Sequence, residues 1–186
     1  MTRVILGVSG ASGAMLARAC AQDLAHRQIL FDLVISHAAR RTFETECTPC
    51  ALEEMQKLAA RIHEVEDIGA GIASGSHAIS GMIVAPCSMR TLAAIAHGFD
   101  DNLLTRAASV QLKERRPLVL LAREAPLTLA HLRNMTLVTE MGAIVMPPVP
   151  AFYLNPPSLE AAVNQIAARA IDLLRLGPGR AEAWVP

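Results

Sequence analysis

The apolar positions of this chain fall into short blocks with two different periods. "MIVA" (Met82–Ala85), "LVLLA" (Leu118–Ala122) and "AIVM" (Ala143–Met146) are continuously apolar, which predicts central strands covered on both faces. "RVILGVS" and "FDLVIS" read as strands too, and "HEVED" as a weaker extended piece. Between them a helical period predicts helices over about Gly13–His26, Ala38–Thr45, Leu52–Ala60, Ser88–Ala96, Asn102–Lys113, Thr128–Glu140 and Ser158–Leu174. Strands alternating with helices predict an α/β fold: a flavodoxin- or Rossmann-like, doubly wound parallel sheet in three αβα layers, joined by right-handed crossovers. Ligands of such sheets bind beyond the carboxyl ends of the strands. That puts "GASG", "ISHAA", "APCSMRT" and "LAREAP" on one rim.

Two segments break the pattern. "MPPVPAFYLNPP" (Met146–Pro157) is too rich in proline for helix or central strand, and its length suits a lid or an interface arm. After residue 176 the chain leaves the single domain expected over residues 1–176. Residues 177–186 then read as a tail docking on a neighbouring subunit, with Trp184, the lone tryptophan, either docked or exposed.

Composition narrows the function. Lys and Arg total 17 and so do Asp and Glu, so no broad basic surface calls for nucleic acid or a membrane, and any anion site is local. Aromatic residues are 3%, too few for a platform that stacks single-stranded bases. With apolar residues at 52% and no apolar run of spanning length, the chain reads as soluble and cytoplasmic. The four cysteines then read as reduced thiols. "CTPC" (Cys47–Cys50) has no second ligand pair for zinc and follows a helix instead of opening one, so loop cysteines are expected and no metal. None of the six histidines shows metal spacing. Only His37, just past a strand end, is placed near a ligand, and a capping or surface role is favoured for it.

The candidate chemistry begins at "GVSGASG", with Gly7, Gly10 and Gly13 spaced three apart. This is neither the dinucleotide nor the P-loop spacing. A glycine turn before a helix can still hold an anion on free N–H groups, with Ser9 and Ser12 adding hydroxyls. The plainer alternative is tight packing with Ser12 as helix cap. At "APCSMRT" the strand is expected to stop at Ala85 before Pro86, with Ser88 capping the next helix and Cys87 buried, a nucleophilic thiol being the lesser reading. Arg106 and Lys113 lie seven apart on one helix face, and Arg123 and Glu124 follow the next strand. Converging cations suit a phosphate dianion; the alternative is a solvated face with Lys113 paired to Glu114.

These segments, with "DNLLTRAA", "LKERRPLVL", "HLRNM" and "MPPVPAFY", resemble the UbiX family of flavin prenyltransferases over nearly the whole chain. The resemblance implies a flavodoxin-like domain that binds reduced FMN and dimethylallyl monophosphate. Without a metal, it would join the dimethylallyl group to flavin N5 and C6, giving prenylated FMN for a UbiD-type decarboxylase that acts in ubiquinone biosynthesis or aromatic acid decarboxylation. It also implies a homododecamer with active sites at subunit contacts. Carried over by position, Gly10, Ala11, Ser12, Ser36, Cys87, Ser88, Met89, Arg90 and Arg123 contact FMN, while Arg106, Lys113, Glu124, Tyr153 and Arg169 surround the prenyl phosphate. Glu46, Ser12, Lys113 and Glu124 make up the catalytic set. Two departures stand out: Ile68 where several relatives carry tryptophan, and Leu154–Asn155 where relatives often read His–Arg. The competing readings are a flavin-dependent cysteine decarboxylase of the same broad fold and a non-catalytic FMN carrier.

Overall fold

The computed structural model describes residues 2–184. Its strands are β1 (Arg3–Val8), β2 (Leu30–Ile35), β3 (Arg61–His63), β4 (Met82–Cys87), β5 (Leu118–Ala122) and β6 (Ile144–Val145). Its helices are α1 (Ala14–His26), α2 (His37–Glu46), α3 (Ala51–Leu58), α4 (Met89–His97), α5 (Leu103–Lys113), α6 (Leu129–Glu140) and α7 (Leu159–Asp172). All strand pairs are parallel, in the order β3-β2-β1-β4-β5-β6, which is the Rossmann order. The chain starts at the centre, works out to β3, and returns to β4 on the other side of β1. The topological switch point therefore lies between β1 and β4.

Alternate residues of β1 feed two cores. Val4, Leu6 and Val8 pack with buried residues of α1, α2, α3 and α7, whereas Ile5 packs on the opposite face with buried residues of α4, α5 and α6. Uniformly apolar strands thus sit between two helical layers, as the lack of polar alternation predicts.

Two expectations need correction. The edge strand β3 is Arg61–His63, paired with Asp32–Val34, and the "VED" part of the predicted piece forms a turn instead. Strand β4 does not stop at Ala85. It runs through Pro86 to Cys87, with the register to β5 shifting between Val84 and Cys87, as expected where proline offers no N–H to the ladder.

The proline-rich segment is irregular apart from a 3-10 turn at Phe152–Leu154. The tail's described part folds back along α7 of its own chain, through Asp172 and Gln165. Val185 and Pro186, the last two residues of the expected tail, lie outside the described residues. Among the described residues no helix is long and apolar enough to cross a membrane.

Candidate active site

The glycine turn after β1 is tied down from both sides. Ser9 Oγ donates to Pro86 O at 3.0 Å and accepts from Ser88 N at 2.7 Å, which stitches the β1 and β4 turns together across the switch point. Gly10 has no room for a side chain, because a Cβ there would lie 2.2 Å from the Ala38 Cβ at the start of α2. Gly13, with no side chain of its own to cap with, is the N-cap of α1, with φ 119°. The capping role considered for Ser12 therefore does not hold.

An anion does sit at this helix terminus, and the chain supplies it. Glu46, the last residue of α2, accepts from Gly13 N at 2.8 Å and Ala14 N at 2.9 Å. Partial burial pushes its carboxyl up, but those two N–H groups, the Ser12 hydroxyl and the Arg123 charge outweigh it and hold the group below the ordinary carboxylate range. Ser12, Glu46 and Arg123 thus converge on one rim. A sequence scan for acids near a phosphate turn would pass over Glu46, which lies 33 residues from Gly13.

The neighbouring turns follow the same plan. Ser36 and Ser88 are the N-caps of α2 and α4, accepting from Ala39 N and Thr91 N. Met89 is buried and Arg90 is exposed, paired with Asp101. Cys87 is fully buried and burial pushes its thiol far up, so it offers no thiolate nucleophile and presents only backbone to a ligand. Arg123 N donates to Cys87 O at 3.0 Å, and Glu124 folds onto Ala125 N. His37 opens α2, exposed and paired with Glu66. Cys47 and Cys50 are free, at the end of α2 and the start of α3.

The five residues assigned to the prenyl phosphate separate in one chain. Arg106 and Lys113 do share a face of α5, packed on the loop after β3. Arg106 donates to Ala73 O and Asp100, and Lys113 pairs with Glu114 beside Gly75. Tyr153 and Arg169 instead line a cavity of about 390 Å³ with Met146, Val149 and Trp184. Trp184 meets the Tyr153 ring edge-on, with centroids 5.0 Å apart. Because α5 and α7 lie on opposite faces of the sheet, one copy does not bring both pairs to one point. A larger cavity of about 500 Å³, between Gln22 and His26 of α1 and Ala161 and Gln165 of α7, sits at the far end of α1 from the glycine turn and is not part of this rim.

Sequence reasoning missed the acids that aim these cations. Asp100 holds Arg106 and Asp101 holds Arg90; the available signal was two adjacent aspartates just before the Asn102 cap.

Similarity to known proteins agrees with this geometry. A model of the Flavoprotein family matches residues 1–169. The flavin prenyltransferase UbiX of Escherichia coli K12 is 51% identical over 173 residues, covering 92% of this chain and 91% of that one. The crystal structure of AnUbiX (PadA1) in complex with FMN and dimethylallyl pyrophosphate superimposes with a TM-score of 0.94 at 44% identity, covering 100% of this chain and 98% of that one. A dodecameric FMN-dependent UbiX-like decarboxylase from Escherichia coli O157:H7 gives 0.93 at 41% identity, with both chains covered completely. With a glycine turn, capped turns at the switch point and this degree of identity along its length, the chain belongs to the UbiX family of flavin prenyltransferases.

Proposed function

We propose that this protein is a flavin prenyltransferase that joins the dimethylallyl group of dimethylallyl monophosphate to N5 and C6 of reduced FMN, as one flavin-binding α/β unit over residues 1–176 with residues 177–186 as its tail. The observation that carries the reading is the ionised Glu46 carboxylate, fixed on the N–H groups of Gly13 and Ala14 beside Ser12 and Arg123. A carrier of FMN has no use for a fixed carboxylate at that rim, and a cysteine decarboxylase has none for a second phosphate cradle.

The residues fit FMN by their donor chemistry. Backbone at Gly10, Ala11, Cys87 and Met89, hydroxyls of Ser12, Ser36 and Ser88, and guanidinium groups of Arg90 and Arg123 border the switch point. The reduced flavin supplies the nucleophilic ring atoms, and the protein's part is orientation and charge. When the donor's C–O bond breaks, phosphate departs and an allyl cation-like fragment remains. Arg106, Lys113, Tyr153 and Arg169 stabilise the phosphate, with Glu124 beside them. Bonding at N5 would release the N5 proton, and closing the second bond at C6 would need a proton delivered to the remaining double bond and the C6 proton removed, with the departed phosphate accepting it and Glu46 or Glu124 relaying the protons. Since α5 and α7 lie on opposite sheet faces, Arg106 and Lys113 of one copy meet Tyr153 and Arg169 of another, so the working form is a homo-oligomer, and the dodecameric relative supports a dodecamer.

The product, prenylated FMN, serves a UbiD-type decarboxylase. Four free cysteines suit a reducing compartment, the cytoplasm. The test is to incubate the protein with reduced FMN and dimethylallyl monophosphate, then weigh the extracted flavin. A gain of one prenyl unit is expected, and unmodified flavin overturns the reading.

A further inference from the structure

The described tail is not a loose end. Beyond Gly179 it turns back along α7 and forms one wall of the cavity that holds Tyr153 and Arg169, through Ala181, Glu182, Ala183 and Trp184. Asp172, the last residue of α7, makes the turn. Its carboxylate accepts from Arg180 N at 3.0 Å on both oxygens and from Ala181 N at 2.8 Å. Arg27, at the end of α1, donates to Oδ1 of the same carboxylate at 2.6 Å and also pairs with Asp23. Both Asp172 and Arg27 side chains are only 7% exposed. Further along, Gln165 makes a reciprocal pair with the backbone of Glu182, at 3.0 and 3.2 Å. The strap ends with Trp184 edge-on against Tyr153.

We infer that Asp172 is a positioning residue for the prenyl-donor site: it latches the C-terminal tail to α7, so that Trp184 holds the Tyr153 ring and the tail closes the wall beside Arg169. The inference rests on the reading that this cavity takes the donor phosphate. A carboxylate is the right group for this latch because both oxygens accept and nothing at the turn needs a donor. An amide would set its NH₂ against either Arg27 or the Arg180 and Ala181 N–H groups, and the strap would come away. Tyr153 would then keep its place in the chain but lose the ring that restricts its rotamers.

The chain has one tryptophan and one tyrosine, so their contact can be read directly. In Asp172→Asn, Tyr153-sensitised emission from Trp184 is expected to fall and the Trp184 emission to shift to the red. With wild-type levels of FMN binding, KM for dimethylallyl monophosphate should rise about tenfold, the effect of losing one charge-assisted hydrogen bond, with a smaller change in kcat. Since Asp172→Asn leaves Arg27 short of a partner, Gln165→Ala provides the second variant. It cuts the outer tie and leaves the buried ion pairs alone, and should raise the same KM by about threefold, as for one neutral hydrogen bond. If the tryptophan signal moves in both variants while KM stays at the wild-type value, or if neither signal nor KM moves, the latch is overturned. A wild-type protein that leaves the flavin unmodified overturns the proposed function instead, and the emission of Asp172→Asn then still decides whether Asp172 holds the tail.

Discussion

Glu46 places a full negative charge on the two leading N–H groups of α1, at the spot where the glycine turn invites a phosphate. Removing that charge separates binding from turnover. In Glu46→Gln the amide oxygen still accepts an N–H, so the turn stays folded and FMN affinity should remain within about twofold, whereas kcat should fall by about 10²-fold, the lower end for losing a positioned proton relay. Flavin fluorescence titration and the mass of the extracted flavin measure the two quantities, and an unchanged rate would remove Glu46 from the mechanism. Its pH behaviour has a definite sign. Glu46's folded pKa is lowered, so its contribution to stability is present above the unfolded value, about 4.3 for a glutamate, and is lost as pH falls through the folded value. The stability gap between wild type and Glu46→Gln in urea should hold from neutral pH down to about 5 and close on further acidification. The spacing of glycines announced an anion at this turn but not whose anion it is, because the carboxylate comes from the far end of α2. Arg106 and Arg90 are similar cases, since a sequence names a cation but not the aspartate that aims it.

At the scale of elements, the order of strands and helices was readable because each element declares itself locally. Continuous apolar runs mark the buried strands, and Ser36, Ser88, Asn102, Thr128 and Ser158 all cap the helices that follow them. The errors came where a neighbour overrides local preference. Pro86 would end an isolated strand, yet pairing with β5 resumes at Cys87 after a shift in register, and β3 is placed by β2 more than by its own composition. The junction of the β1 turn with α2 is equally non-local, and it is testable. A Cβ at Gly10 meets the Ala38 Cβ at 2.2 Å, so Gly10→Ala must push α2 away from the turn and carry Ser36 and Glu46 with it. Destabilisation of about 1–3 kcal/mol is expected from such overpacking, together with weakened FMN binding. Chemical denaturation and flavin titration read both. Pairing Gly10→Ala with Ala38→Gly should recover part of the loss, since the residue-38 backbone still lies 3.0–3.1 Å from the added Cβ, and no recovery at all would assign the cost to something other than the Cβ contact.

For the whole molecule, the decisive fact is that the two groups of residues proposed for the phosphate cradle lie on helices packed against opposite faces of the sheet. Arg106 and Lys113 belong to the layer of α4, α5 and α6, and Tyr153 and Arg169 border the layer of α1 and α7. Sequence spacing could group Arg106 with Lys113 on α5, but the sheet between the layers is a property of the folded chain. If the cradle closes between copies, complementation follows. Lys113→Ala and Arg169→Ala should each be nearly inactive alone, because each removes one half from every site. Coexpressed with different tags and purified as mixed oligomers, they should regain activity. A site is whole when an Arg169→Ala copy lends its intact Lys113 to a Lys113→Ala copy with an intact Arg169, so in random assemblies about a quarter of the sites qualify. Recovery towards that level, measured as prenylated flavin formed per subunit, is the expected result. The double variant Lys113→Ala/Arg169→Ala mixed with wild type sets the reference: only contacts between two wild-type copies are whole, about a quarter of the sites if the cradle closes between copies and about half if it forms within one chain. If the two single variants stay inactive together while each still binds FMN and assembles, the cradle is formed within one chain.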